Sequence, residues 1–332
     1  MPSMSRRPLL DFFSRSLAAF QHSGSKFQVV CSVAPPSSHG AATQTPAPAS
    51  PRRKPRTLIV LDSSFNPPTI AHLRMATATI RDLTEQKGQQ PHTIRLLLLL
   101  AVNNADKAPK PAAFEQRLAM MWAFARDIQR GLADGHQKEE AHSQETEQSE
   151  ETEKGLNIDV ALSTQPYFND KSAAIAESDF YKPEAADGDE MEQVILAGFD
   201  TLIRIFNPKY YGPPTSVAEA ASTPTPIQRA LDPFFARARL RITMRTDDEW
   251  GGKDEQLAYL RNELSPAGLE KLGGSAGWGR RVEMVEGRKD GEEVVSSTYA
   301  RDAARSGDWD RLGRMVTPEV KSWIEGERLY RE

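Results

Sequence analysis

The sequence predicts an α/β protein built on a doubly wound parallel sheet. Short apolar runs of strand length alternate along the chain with longer segments of helical periodicity. Strands of a parallel sheet are buried on both faces, so they appear as such continuous apolar runs. Two of the runs, 58–61 and 194–198, end in polar or glycine-bearing turns. Because ligands bind beyond the carboxyl ends of such strands, these turns are the expected functional site.

The chain is predicted to have three parts. Residues 1–33 form an N-terminal extension with a helix and a strand. Residues 34–56 are rich in Pro, Ala and Ser, and this composition is typical of a disordered linker. The main domain spans 57–330 and contains two polar segments that are predicted to be disordered insertions, 134–155 and 212–228.

Hydrophobic patterns place strands and helices in turn along the main domain. The predicted strands are 58–61, 94–102, 158–162, 194–198, 240–244 and 281–285. The predicted helices are 69–87, 114–130, 169–178, 229–236, 297–307 and 317–329, the last two being C-terminal helices that close the domain. Segment 264–279 carries Gly and Ser and is predicted to be a loop.

Composition excludes several classes of function. The 332 residues include 42 Lys and Arg against 46 Asp and Glu, a net charge of -4, so no nucleic-acid or membrane-surface partner is expected. No apolar run approaches the roughly 20 residues of a membrane-spanning helix. The one cysteine, Cys31, excludes an internal disulfide and indicates a reducing compartment. We therefore expect a cytoplasmic or nuclear protein.

The N-terminus also has features of a mitochondrial presequence. It is amphipathic and rich in Ser, with Arg6, Arg7 and Arg15. Asp11 interrupts this pattern, and 27–30 looks like a strand that needs a partner. We therefore expect a helix that packs on the domain, with mitochondrial import as the alternative.

A turn with phosphate-binding chemistry follows the first strand of the domain. Its residues run from Asp62 through a polar segment and two prolines to Thr69, and His72 follows at the start of a helix. Backbone N–H groups at such a turn favour anions. A histidine there can donate to a phosphate oxygen whose charge grows in a transition state. For His72 alone, the alternative is an ordinary helix histidine.

A second polar string stands near the C-terminus. Ser296, Ser297 and Thr298 precede Arg301 by about one helical turn. Hydroxyl groups at a helix start donate to phosphate, and the planar guanidinium group suits phosphate oxygens. Without the first string, an ordinary helix cap with a surface arginine explains it equally well.

The two strings together resemble the signatures of nicotinamide mononucleotide adenylyltransferases. Ser63-Ser64-Phe65-Asn66-Pro67-x-Thr69-x-x-His72 is similar to G-S-F-N-P-x-T-x-x-H, with Ser63 where the family usually has Gly. The string from Ser296 to Arg301 is similar to S-S-T-x-x-R. The resemblance covers about 58–330 and implies a Rossmann-like fold of the HxGH nucleotidyltransferase type.

The resemblance implies roles for three further positions. Asp200 ends a string similar to the family's L-C-G-A-D, with a helix cap as the alternative. Lys107 or Lys110 matches the family's phosphate-binding loop lysine, with an exposed loop lysine as the alternative. Tyr211 falls where the family has a Trp that stacks on the nicotinamide ring, with core packing as the alternative.

The implied reaction transfers AMP from ATP to nicotinamide mononucleotide and releases pyrophosphate and NAD. The resemblance makes His72 and Arg301 catalytic. It assigns the following residues to ATP: Ser64, Phe65, Thr69, Lys107, Lys110, Asp200, Ser296, Ser297 and Thr298. It assigns Ser63, Asn66 and Tyr211 to the mononucleotide. Mg²⁺ is expected on the ATP phosphates, with no protein ligands.

Two other functions remain open at this point. One is a cytidylyltransferase that acts on CTP and a phospho-alcohol, although that class has His in place of Thr69. The other is a nucleotide-binding regulator or ATP hydrolase without full synthetic activity. Substrates in each case are small molecules, and a homo-oligomer is left open.

Overall fold

The computed structural model describes residues 6–36, 45–103, 111–140, 155–182, 190–212, 223–245, 251–287 and 292–331. Its strands are β1 Phe27–Val33, β2 Thr57–Asp62, β3 Ile94–Ala101, β4 Asn157–Ser163, β5 Glu192–Gly198, β6 Ala238–Thr243 and β7 Val282–Val285. Its α-helices are α1 Arg6–Ser23, α2 Ile70–Arg81, α3 Phe114–Glu140, α4 Phe168–Glu177, α5 Phe199–Ile205, α6 Pro226–Arg237, α7 Lys253–Asn262, α8 Pro266–Lys271, α9 Ser297–Ser306, α10 Trp309–Met315 and α11 Pro318–Gly326. A π-helical segment at Asp82–Gln86 extends α2.

The strands form one sheet in the order β1-β4-β3-β2-β5-β6-β7. Strand β1 is antiparallel to β4, and the other neighbours are parallel. Without β1, the strands have the order 3-2-1-4-5-6 in the sequence of the domain, which is the doubly wound arrangement. The predicted Rossmann-like fold is confirmed. The order reverses between β2 and β5, so the ligand-binding crevice lies beyond the ends of these two strands.

The central strands are buried on both faces, which explains their uninterrupted apolar sequence. In β3, residues 96–100 are all at most 1% exposed. One face packs against α1, α2, α3 and the C-terminal helices. The other face packs against α4, α5 and α6. Two helical layers therefore hold the carboxyl ends of β2 and β5 in fixed positions.

The N-terminal extension is part of the folded domain. Leu9, Phe13 and Phe20 of α1 are buried in the core beneath the sheet. Strand β1 pairs with β4 from Phe27 to Val33 and forms one edge of the sheet. The predicted docking of this helix is therefore present in the structure.

Residues 45–56 of the predicted disordered linker contact the sheet. Ala47 accepts a hydrogen bond from the Ser32 backbone N–H at 2.9 Å. Ala49 accepts one from Arg95 Nη2 at 2.9 Å, and Arg95 is itself buried against Asp159. These backbone groups satisfy donors at the sheet edge, a role that composition does not reveal. Residues 37–44 lie outside the described part of the chain.

Two helices extend into the predicted insertions. Helix α3 continues to Glu140, which lies inside the 134–155 segment, and 141–154 are not described. Helix α6 begins at Pro226, because Thr225 and Gln228 form a capping box there. The disordered prediction for the end of 212–228 is therefore wrong.

The prediction of a loop over 264–279 is also wrong in its first half. Ser265 accepts the Gly268 N–H at 3.0 Å and caps α8, with Pro266 in the first turn. Helices α7 and α10 have no counterpart among the predicted elements, because both are short and polar on most of their surface.

Within the described residues, no helix is long and apolar enough to cross a membrane.

Candidate active site

The turn between β2 and α2 is anchored by a buried phenylalanine. Phe65 has a φ of 43° and its side chain is fully buried. Its ring centroid lies 5.4 Å from that of His72. The Asn66–Pro67 peptide bond is cis. The side chain of Phe65 therefore faces the core, so only its backbone is available for the predicted contact with ATP.

The imidazole of His72 is held in one tautomer by the start of α2. The Thr69 backbone N–H donates to His72 Nδ1 at 3.0 Å. His72 thus takes the place that Glu or Gln usually has in a capping box. Nδ1 is therefore the acceptor, and Nε2 carries the hydrogen. Nε2 lies 2.9 Å from Ser63 Oγ. Thr69 is 1% exposed, so its side chain serves to orient His72.

His72 is neutral at physiological pH. Desolvation, together with the nearby positive charge of Arg245, lowers the pKa of His72 from 6.5 to about 4. A neutral imidazole with its hydrogen on Nε2 is a hydrogen-bond donor at a fixed position. Such a group can donate to a developing negative charge without losing its proton.

This low pKa predicts a pH dependence of stability. The folded protein binds a proton at His72 less readily than the unfolded chain, so the contribution is fully present above about pH 6.5 and is lost as the pH falls towards about pH 4. His72→Gln keeps an acceptor for the Thr69 N–H but cannot titrate. We expect the unfolding free energy of the wild type to fall more steeply than that of His72→Gln across this range. Urea titrations at both ends of the pH range measure the free energy of unfolding of the two proteins. An equal loss in both would contradict the lowered pKa of His72.

The second string folds directly onto the first. Ser296 caps α9 by accepting the Tyr299 N–H at 3.2 Å. Ser297 Oγ donates to the Pro67 carbonyl at 2.9 Å, and Arg301 Nη1 donates to the Asn66 carbonyl at 2.8 Å. Two strings more than two hundred residues apart therefore form one structural unit at the end of β2.

Arg301 keeps further donors for a ligand. Its Nη2 donates to Thr298 Oγ1 at 3.0 Å, and Thr298 is itself exposed. A guanidinium group has five N–H donors, and the two bonds to Thr298 and Asn66 use two of them. The side chain is half-buried, so a planar cation is fixed at the edge of the crevice.

The C-terminal end of the chain fixes the same turn, which the sequence did not predict. Tyr330 is 8% exposed, and its hydroxyl donates to Asn66 Oδ1 at 2.9 Å. Burial raises the pKa of Tyr330, which keeps the hydroxyl protonated. The side chain of Asn66 is 4% exposed and is occupied by this bond. Its contact with the mononucleotide stays a prediction.

A second arginine, Arg245, which the sequence analysis missed, lies on the other side of the crevice, beside Asp200. Arg245 follows β6 and places its Nε 3.5 Å from Asp200 Oδ1 at the start of α5. Gln256 is fully buried and accepts the Arg245 backbone N–H at 3.1 Å. A charged residue just beyond the carboxyl end of a strand was the available signal. Arg245 brings a second cation to the site of His72 and Asp200.

Gly198 leaves the space that Asp200 and Arg245 need. A Cβ atom at this position would lie 2.7 Å from Asp200 Oδ1 and 3.5 Å from Arg245 Nε. We expect Gly198→Ala to fold normally but to displace the Asp200 carboxylate, which lowers turnover about tenfold. Steady-state kinetics test this. Gly277→Ala is the control, because a Cβ there meets nothing within 4 Å. Full activity of Gly198→Ala would contradict the predicted role of Asp200 in binding ATP.

A buried ion pair stabilises the first residue of the turn. Lys171 of α4 contacts Asp62 through its Nζ, and the two side chains are 8% and 7% exposed. The Lys171 ammonium also lies 5.1 Å from the centroid of the Phe168 ring. The charge of Asp62 is therefore neutralised beside Ser63, so Asp62 adds little negative potential to the turn.

The remaining predicted residues have different surroundings. Ser64 is exposed at the turn. The hydroxyl of Tyr211 donates to the Ile205 carbonyl at 2.6 Å and the ring packs against the core, and burial raises its pKa. Lys107 and Lys110 lie outside the described residues. In the described ranges, no group of three or more His, Cys, Asp or Glu has the geometry of a metal site.

The chain is similar to a curated protein in sequence and to distant solved proteins in structure. The chain is 31% identical over 274 residues to a curated Schizosaccharomyces pombe protein named "Putative nicotinamide mononucleotide adenylyltransferase", covering 82% of this chain and 86% of that protein. No family model matches the chain.

Solved structures include Plasmodium falciparum nicotinic acid mononucleotide adenylyltransferase complexed with NaAD, with a TM-score of 0.43 and 11% identity over 83% of this chain and 97% of that chain. They also include Thermotoga maritima TmcAL bound with alpha-thio ATP, with a TM-score of 0.31 and 14% identity over 82% and 56%.

With its doubly wound sheet, the chain is an enzyme of the nucleotidyltransferase class. Within that class, the chain belongs to the nicotinamide mononucleotide adenylyltransferase family.

Proposed function

We propose that the protein transfers the adenylyl group of ATP to nicotinamide mononucleotide, forming NAD and pyrophosphate. The observation that carries the proposal is the direct bonding of the two strings: Ser297 to Pro67, and Arg301 to Asn66. Through this bonding, the fixed Nε2–H donor of His72 and the planar cation of Arg301 lie beside one crevice. The name of the S. pombe relative supports the same substrate class.

The reaction needs no general base, because a phosphate monoester is already a competent nucleophile. A phosphate oxygen of the mononucleotide attacks the α-phosphorus of ATP in line, and the bond from that phosphorus to the β-bridging oxygen breaks. The protein accelerates this step by positioning and by neutralising charge. Pyrophosphate leaves with the electron pair of the broken bond.

Each residue of the crevice has a part in that step. Neutral His72 supplies a fixed hydrogen-bond donor on the side of the α- and β-phosphates. Arg301 binds the leaving pyrophosphate from one wall, and Arg245 supplies positive charge from the other. Asp62 and Asp200 are both paired with cations, so Mg²⁺ enters as part of the ATP substrate.

Substrate comparison tests the proposal. Purified protein is supplied with Mg-ATP or Mg-CTP and with the amidated or the deamidated mononucleotide, and the dinucleotide formed is separated and quantified. We expect ATP with a pyridine mononucleotide to react, and CTP to be inert. Preference for CTP would indicate a cytidylyltransferase instead. Loss of ATP without any dinucleotide product would indicate an ATP hydrolase.

A further inference from the structure

The hydrogen of His72 that a phosphate would use is already occupied. Nε2 carries that hydrogen, because Nδ1 accepts from Thr69. Ser63 Oγ lies 2.9 Å from Nε2 and therefore accepts it. A phosphate oxygen that needs a donor here must either displace Ser63 or bind to the hydroxyl of Ser63.

The Ser63 hydroxyl is well placed for the second of these arrangements. A hydroxyl that accepts one hydrogen bond still has its own O–H to donate. Among the described residues, the Ser63 hydroxyl has one hydrogen-bond partner, His72. The backbone of Ser63 is held at the end of β2 by its N–H, which donates to the Leu99 carbonyl at 3.3 Å. The sheet therefore fixes the position of the residue that carries this hydroxyl.

The chain of two hydrogen bonds also favours donation from Ser63. When His72 donates into Ser63 Oγ, it polarises the O–H bond and makes the hydroxyl a stronger donor. Displacement of Ser63 would give up the hydrogen bond between Ser63 and His72. Donation through Ser63 keeps that bond.

We propose that Ser63 is a catalytic residue that delivers the hydrogen bond of His72 to a phosphate oxygen of ATP. This inference rests on the proposed adenylyl transfer and identifies the group that touches the substrate there. Ser63 donates its O–H to the oxygen, and His72 donates its Nε2–H to Ser63. No proton is transferred and no bond to Ser63 forms.

Variants of Ser63 test the proposal by steady-state kinetics with Mg-ATP and nicotinamide mononucleotide. Ser63→Ala removes the donor, so we expect kcat to fall about tenfold or more while the KM for ATP stays within about twofold. Ser63→Thr retains a hydroxyl and should keep most of the activity. Ser306→Ala is the control, because the Ser306 hydroxyl only donates to Ala303 at the far end of α9.

Two results would overturn the proposal. If Ser63→Ala and Ser63→Gly are as fast as the wild type or faster, Ser63 only obstructs His72. If nitrogen NMR shows that His72 changes tautomer in Ser63→Ala, then Ser63 only positions the imidazole. If the proposed function itself is wrong, the wild-type protein forms no NAD in the same assay, so the two failures are distinguished.

Discussion

His72→Ala is expected to lower turnover at least about 10²-fold, the usual cost of losing one preorganised donor to a transition state. The imidazole is neutral and carries its hydrogen on Nε2, so alanine removes a donor whose position is set by Thr69. ATP affinity should change much less, because the charge on the phosphate oxygens grows only as the reaction proceeds. Turnover and ATP binding measured on the same preparation separate the two effects.

His22→Ala is the matched control for this variant. His22 is exposed on α1, and its Nδ1 contacts only the Ala18 carbonyl within its own helix. Alanine at position 72 also removes the acceptor of the Thr69 N–H, so its stability should fall by about 1 kcal/mol. Turnover near the wild-type value in His72→Ala would rule out the proposed role of the imidazole.

Arg301→Ala is expected to have the second large effect, a fall in kcat/KM of about 10²-fold with a raised KM for ATP. The guanidinium group donates to the Asn66 carbonyl and retains donors for phosphate. Its loss removes positive charge from the crevice and weakens the contact between the two strings. Initial rates at varied ATP concentration measure both consequences.

Two further variants locate the effect on the guanidinium group. Arg301→Lys keeps the charge but lacks the planar fork that bonds Asn66 and Thr298 together, so it should recover only part of the activity. Arg305→Ala removes an exposed arginine one turn further along α9, where it pairs with Asp302, and should be active. A normal KM for ATP in Arg301→Ala would exclude its role in binding phosphate.

Much of the fold was predictable because parallel strands have a distinctive sequence. Burial of both faces forces runs such as 58–61 to be apolar throughout, so strand positions follow from local sequence. Short polar helices such as α7 escaped prediction. Their positions depend on tertiary partners, for example the bonds between Gln256 and Arg245.

The candidate site was predictable where its residues lie within one string. His72 and Thr69 are three positions apart, so their hydrogen bond follows from helix geometry. Arg245 and Tyr330 were missed because their positions depend on the order of strands in the sheet and on how the C-terminus packs. Tyr330 reaches Asn66 across 264 positions of the chain, which no local pattern reveals.

The proposed function requires the crevice at the β2–β5 switch point to transfer an adenylyl group rather than simply hydrolyse ATP. Phosphorus NMR of one reaction, with wild-type protein, Mg-ATP and nicotinamide mononucleotide, distinguishes the two reactions. We expect the resonances of NAD and pyrophosphate to grow together in equal amounts as those of ATP and the mononucleotide decline. Formation of ADP and inorganic phosphate, with the mononucleotide unchanged, would contradict it.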